Sequence, residues 1–478
     1  MVGQSRHRFW AAMAAMAAMA MGATALAGAE PVTAPITGAK TGPVTGSVTE
    51  SNFHGFAPRV TLEVEREAHS VIADDVNGDG KLDLIVAVAG ANSVAVFAGH
   101  GDGTFDPPVY WPTGALPKFA VTADFNHDGH RDIVTADQDG KSISILLGNG
   151  DGTFRPKVSY PACNGDHEVA VADFDKDGNE DVVVACHGKP YFASVFFGKG
   201  DGTFRPRLDL TPGAEPAAVV IGDFNGDGVP DLAFANHSGN SVAVLLSKGD
   251  GTFSEPVAFA TGTSPHAIRA GDLDGDGILD LVTANDEANS VTVLFGTGDG
   301  QFGRRLDLPT NSTPKSVAVA DVDGDGHKDI IVTNTTYPVC CTVAGSTISV
   351  FINRGDGTFL PRQDFDAGGD PFSLLVRDLN GDGKADVVTA NFIDQAPLQR
   401  VYLNVVRTLG VSSRIAKAGG FGLCLLAGLL AVAMLRGRSR TSAVMIGALI
   451  TLLLAAGLWN ASRPRTAGGS HISIFYGR

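Results

Sequence analysis

In DFNGDGVPD, residues 223–231, side-chain oxygens stand at the first, third, fifth and ninth positions: Asp223, Asn225, Asp227 and Asp231. Alternate positions of a tight turn can converge, and Gly228 supplies the backbone freedom for one. The carbonyl of Val229 offers a further oxygen. Hard oxygens gathered this way suit calcium, which takes about six to eight of them in flexible geometry. Magnesium suits them less, because its strict octahedron holds on to water. A plain Asx-rich turn is the simpler account, since Asp, Asn and Gly form turns unaided. It explains one copy well.

The motif is written seven times, beginning at residues 75, 124, 173, 223, 272, 321 and 378. The candidate ligands are Asp75, Asn77, Asp79 and Asp83 in the first copy, and Asp124, Asn126, Asp128 and Asp132 in the second. The third and fifth copies offer Asp173, Asp175, Asp177 and Asp181, and Asp272, Asp274, Asp276 and Asp280, either side of the fourth at 223–231. The last two offer Asp321, Asp323, Asp325 and Asp329, and Asp378, Asn380, Asp382 and Asp386. These 28 positions hold 24 Asp and 4 Asn, so each loop carries −3 or −4 there. One calcium ion per loop would bring +14 against a formal chain charge of −16. The loop is not an EF-hand: the twelfth position of the first copy is Val86, where Glu is required.

The steps between copies are 49, 49, 50, 49, 49 and 57 residues, a period that marks a propeller or a solenoid. Each unit contains four short alternating or β-branched runs; in the fourth they are AAVVIGDF, DLAFAN, SVAVLLS and EPVAFAT. No run inside the repeats keeps a helical period. Four strands per unit and seven units predict an all-β, seven-bladed β-propeller, since solenoid coils are usually shorter than this repeat. A second motif, GDGTF or GDGQF, occurs only six times, with its aspartate at 102, 151, 201, 250, 299 and 356. The missing strand has a counterpart at the start of the chain. FAPRVTLEV (56–64) reads like FRPKVSYPA (154–162), which follows a GDGTF. The N-terminal strand is therefore expected to supply the outer strand of the last blade and close the ring.

Two motifs recurring in phase, GNGDGTF (148–154) with the DxDGDGxxD loops, resemble FG-GAP/VCBS repeats, the family that includes the integrin α-subunit head. The resemblance covers roughly residues 56–405. It implies a propeller whose innermost strand precedes the acidic loop, calcium in that loop, and a binding role more often than catalysis.

Strand alternation puts the acidic loops and the GDGTF turns on one face and the second-to-third connections on the other. Length varies on that second face, from AGANS (89–93) to TNTTYPVCCTVAGSTIS (333–349), and recognition tends to live on such loops. The residue six before each acidic loop is His69, Lys118, His167, Ala217, His266, Lys315 and Phe372. If the first strand is innermost, these meet at the mouth of the central channel. His69, Lys118, His167, His266 and Lys315 could then face an anionic or polyhydroxyl ligand, or simply be solvated strand ends. Of five cysteines, Cys163 and Cys186 fall in second-face loops of one blade and could pair, and Cys340 and Cys341 are adjacent in the longest loop. Four such cysteines allow three pairings.

The ends read differently. Residues 1–29, with Arg6 and Arg8 before an Ala/Met run and Ala27-Gly28-Ala29 before Glu30, read as a signal peptide; 30–55 form a Pro/Thr/Gly-rich linker. After the 56–405 propeller and a short stalk (406–418), two uncharged apolar runs, 419–435 and 442–459, are each near the lower limit for a membrane span. The intervening 436–441 loop carries Arg436, Arg438 and Arg440 and is expected in the cytoplasm, with the propeller outside. Residues 460–478 are expected to be a separate tail, although HISIFYGR resembles the repeat strand SISILLG (142–148). With the last blade's third strand ending near Asn404, the anchor would leave from the acidic-loop face.

The acidic balance argues against nucleic acid, which needs a basic surface. No GxSxG, HExxH or phosphate loop is present, and most Asp residues belong to the candidate metal loops. An extracellular binding or adhesion module for a glycan or protein is expected, with a calcium-dependent polysaccharide-degrading enzyme as the alternative.

Overall fold

The computed structural model describes residues 53, 55–335, 346–392 and 470–477. They belong to one compact unit, Ser51–Arg478. The expected signal peptide at 1–29, most of the expected linker, Cys340, Cys341 and both apolar runs lie outside the described residues. Among the described residues no helix is long and apolar enough to cross a membrane.

Seven antiparallel sheets of four strands are described. Blade one contains Ala68–Asp74, Asp83–Val88, Ser93–Phe97 and Val109–Pro112, in chain order from inside to outside. Five more blades repeat that order. The first strands of successive blades touch all the way round, and Pro371–Arg377 of blade seven meets Ala68–Asp74 of blade one. The first strand is thus innermost, as the resemblance implied.

Burial grades outward. The second strands, such as Asp231–Asn236, are buried on both faces because each sheet is covered by the next blade. Between blades three and four, Phe174, Val183 and Val195 pack against Val219, Leu232 and Phe234. Outer strands such as Val257–Ala260 are largely exposed. Polar groups inside these sheets satisfy one another across strands: Asn285 Nδ2 donates to Thr292 at 2.9 Å, and Asn334 Nδ2 to Ser349 at 2.7 Å.

Blade seven closes the ring, and here one expectation holds and another is corrected. Val60–Glu63 is its outer strand, pairing residue by residue with Ile474–His471. The third strand is His471–Phe475, not the 401–404 run, which lies outside the described residues. The propeller therefore does not end at residue 405, and residues 460–478 are not a separate tail. The physical reason is visible in the contacts. Ile472 and Ile474 are fully buried, and Asn391 donates to Ser473 at 3.0 Å, as the equivalent Asn residues do in other blades. Gly477 N donates to Asp386 at 3.0 Å, in the place that Gly99, Gly148 and Gly198 take opposite their own aspartates. Residues 393–469 are thus an insertion between second and third strands. It leaves from the face opposite the acidic loops, which corrects the expected exit of the anchor.

Candidate functional site

Each acidic loop links a first strand to a second. In blade four, Asp223 accepts Gly226 N at 2.7 Å and Gly228 N at 2.9 Å, one on each oxygen. Asn225 Oδ1 accepts Asp227 N at 3.0 Å, and Asp227 accepts Val229 N at 2.8 Å. Gly226 and Gly228 both have φ of +74°, so two left-handed residues fold the turn back on itself. These bonds are those of nested Asx turns.

The ninth position has a role that sequence reasoning missed. Asp231 is fully buried; one oxygen accepts Phe224 N at 3.0 Å and the other Ser247 N at 2.8 Å. Asp83, Asp132, Asp181, Asp280, Asp329 and Asp386 bond in the same way. The ninth aspartate thus ties its loop to the end of the third strand, and each oxygen keeps a second lone pair for a cation. Burial pushes these carboxyls up, to about 6 for Asp132, Asp231 and Asp280 and about 7 for Asp181 and Asp329. The amide bonds oppose that rise and the neighbouring carboxylates add to it. Asp231→Ala is expected to cost about 3–5 kcal/mol, the value of two amide bonds to a charged acceptor, and to cost it in chelator as well. Thermal melting with and without calcium checks this; a loss confined to calcium would make Asp231 a ligand alone.

Carboxylates do converge in three loops. Ligand oxygens of Asp173, Asp175 and Asp181, of Asp272, Asp274 and Asp276, and of Asp321, Asp323 and Asp325 lie within 4.8 Å of one another in each set. In two of these loops an oxygen, Asp175 Oδ1 or Asp274 Oδ1, is buried without a hydrogen-bond partner. A buried carboxylate oxygen without a donor is costly unless a cation meets it. The donor set and these two atoms fit calcium. Arginines following GDGTF-type turns lie against the same aspartates: Arg205 against Asp175 and Asp177, and Arg304 against Asp274.

The GDGTF turn clasps the preceding blade. Gly202 N donates to Phe125 O and Gly300 N to Phe224 O, each at 2.9 Å, and Phe204 and Phe302 pack edge-on against those phenylalanines.

At the opposite face the channel opens into a cavity of about 690 Å³ lined by His69, Lys118, His266, Lys315 and Phe372. In all seven first strands the pairing slips by one residue at the position that these five share with His167 and Ala217. Each is the extra residue of a β-bulge, released from the ladder and re-aimed. The side chain of His167 lies outside the described ones.

Their surroundings differ. Lys118 Nζ donates to His69 Nε2 at 2.9 Å, and His69 packs edge-on against Phe372 and Phe392. Burial, then the lysine charge, lowers His69 to about 3; burial lowers Lys118 to about 8. Lys315, placed by spacing at the mouth to face a ligand or to be solvated, is buried and paired with Asp286 at 2.8 Å. Glu168 is buried against Arg269 at 2.8 Å, with burial pushing its carboxyl up.

A second series was also missed. The residue just after each second strand includes Gln138, His187, His237 and Asp286, all lining the cavity. Their common register, about 49 residues apart, was readable; their convergence was not. Beneath His187, Cys163 and Cys186 form a disulfide with Cα atoms 5.8 Å apart.

A family model described as FG-GAP-like repeat matches residues 75–135, 124–184, 177–234, 223–283, 272–332 and 339–389. No curated protein matches the sequence. Among solved structures, the chain is similar to BBS1N in complex with ARL6DN, at 13% identity and a TM-score of 0.50, covering 72% of this chain and 94% of that one. It is similar to an Agrocybe aegerita lectin described as recognising non-reducing terminal N-acetylglucosamine, at 22% identity and a TM-score of 0.44, covering 63% and 80%. A streptogramin B lyase aligns at 13% identity and a TM-score of 0.49, covering 71% and 96%. At these identities the likeness is one of fold alone.

Proposed function

The chain belongs to the FG-GAP-like repeat family, and from that premise we propose a calcium-stapled propeller that binds a glycan at the mouth of its channel. The observation that carries this reading is the cavity lining. Phe119 and Phe372 offer apolar faces beside Lys118, Gln138, Asn289, Glu287 and Arg269. A pocket that mixes aromatic surface with donors and acceptors of both signs suits a sugar, whose ring has apolar C–H faces and a rim of hydroxyls. Calcium, held by the acidic loops on the other face, would neutralise their carboxylates and stiffen the turns between first and second strands. It would not touch the ligand.

The full chain, screened against a panel of neutral and acidic oligosaccharides, is expected to select a subset. Substituting His69, His167 and His266 together by Gln is expected to weaken the best ligand at least 10-fold, about 1.4 kcal/mol, with little change in melting. Unchanged affinity would discard the mouth as the site. Breakdown products from a bound polysaccharide would turn the reading from binding to catalysis, and a protein ligand in place of a sugar would keep the site but change its class.

Export by residues 1–29 and anchoring by the 419–435 and 442–459 runs belong to the same proposal. Because the insertion begins and ends on the mouth face, the anchored propeller would present its mouth toward the membrane side.

A further inference from the structure

Three ligand-type side chains converge on one wall of the mouth, and neither the acidic loops nor glycan binding requires them. His187 Nε2 lies 3.4 Å from Glu215 Oε1, and His237 Nδ1 lies 3.9 Å from Glu215 Oε2. One ligand atom from each of the three falls within 4.8 Å of the others. A tetrahedral zinc ion with bonds of about 2.0–2.1 Å holds adjacent ligands roughly 3.3–3.4 Å apart, so the widest pair would close by at most about 1.4 Å. We infer that His187, Glu215 and His237 form a site for a zinc-class transition metal ion, with its fourth position turned to solvent or ligand. The site goes beyond glycan binding and stands whether or not a sugar binds.

The supports around the trio point the same way. His187 and His237 occupy equivalent positions after the second strands of blades three and four, with ring centroids 5.3 Å apart. Glu215 is held in the left-handed region at φ +63°, and its carbonyl accepts His237 N at 2.9 Å. Glu67, Leu116 and Ser264 repeat that conformation and bond in other blades, so the scaffold fixes where the backbone stands; among the described residues only blade four places a carboxylate beside two imidazoles there. A ligating imidazole usually directs its other nitrogen at a carboxylate. His237 Nε2 faces Asp286 Oδ1 at 3.7 Å, and that oxygen is buried with no hydrogen-bond partner. Asp286 is itself fixed by Lys315. Two imidazoles and one carboxylate favour zinc, copper or cobalt over calcium, which prefers oxygen alone.

The test uses the full chain in excess calcium, so that the acidic loops are occupied, titrated with Co²⁺ and followed by visible absorption. The expected result is one equivalent of Co²⁺ with the intense d–d bands of a low-coordinate ion, displaced by Zn²⁺ and not by Ca²⁺. His187→Ala and His237→Ala should each weaken binding roughly 100-fold, and Asp286→Asn about 10-fold, the range found when a supporting partner is lost. Glu215→Gln, nearly isosteric, keeps the test intact if a histidine variant fails to fold, and should remove the bands. Bands that survive in Glu215→Gln and His187→Ala, or no bands in the unaltered chain, overturn the assignment.

Discussion

With its calcium chelated, the protein is expected to melt roughly 25 °C below its value in excess calcium. A site filled at 100 times its dissociation constant contributes about 2.7 kcal/mol, so seven contribute about 19 kcal/mol. Unfolding entropy near 2.1 cal/mol/K per residue, over the roughly 340 described residues, converts that to the stated shift. If only the three loops with converging carboxylates fill, in blades three, five and six, the shift falls to about 11 °C. Identical melting in both conditions would remove calcium from the account and leave the loops as Asx turns.

The chelated protein should also carry a pH signature. Burial raises all seven ninth-position carboxyls above the ordinary 3.8, to about 6 for Asp132, Asp231 and Asp280 and about 7 for Asp181 and Asp329. The folded state therefore binds more protons in that window, and stability falls as pH rises through it. Chelated samples should melt higher at pH 5 than at pH 7.5.

A chain cut at residue 410 is expected not to fold cooperatively, although it would keep every acidic loop. The cut removes His471–Phe475 and, with it, the buried side chains of Ile472, Ile474 and Phe475. Each is worth about 2 kcal/mol of transfer, and the larger loss is that Asp386–Asn391 and Val60–Glu63 would face each other across an empty strand. The complementary variant replaces 393–469 by a four-residue turn like that at His237–Asn240, which connects the same strands in blade four. It is expected to melt like the full chain and to leave the membrane fraction. A 410 truncation with unaltered melting would refute the strand exchange, and a turn variant still in the membrane fraction would refute the anchor.

Much of this fold was legible because the repeat is its own control. Seven acidic copies gave seven blades, and the shortfall of one GDGTF turn located the closing strand at Val60–Glu63. The last blade misled because VYLN (401–404), ending at Asn404, alternates and stands at a plausible distance, and local periodicity does not reveal a 77-residue insertion at 393–469. The better signal was non-local: HISIFYG ends with glycine two residues after its last strand position, as SVAVFAG and SISILLG do. The tying role of Asp231 stayed hidden because its partner Ser247 lies 16 residues on, set by register across a buried sheet. The mouth positions were found by spacing, but a period of two cannot show a bulge, nor that Lys315 would turn to Asp286.

Those bulges leave the molecule with an unusual freedom. A residue outside the ladder can be exchanged without breaking a cross-strand bond, so each blade has one position where chemistry varies while its scaffold does not. Ala217 and Phe372 already stand where others carry imidazole or ammonium. Selectivity can drift here without disturbing the ladder, and because His69 touches both Lys118 and Phe372, a change in one blade retunes its neighbours as well.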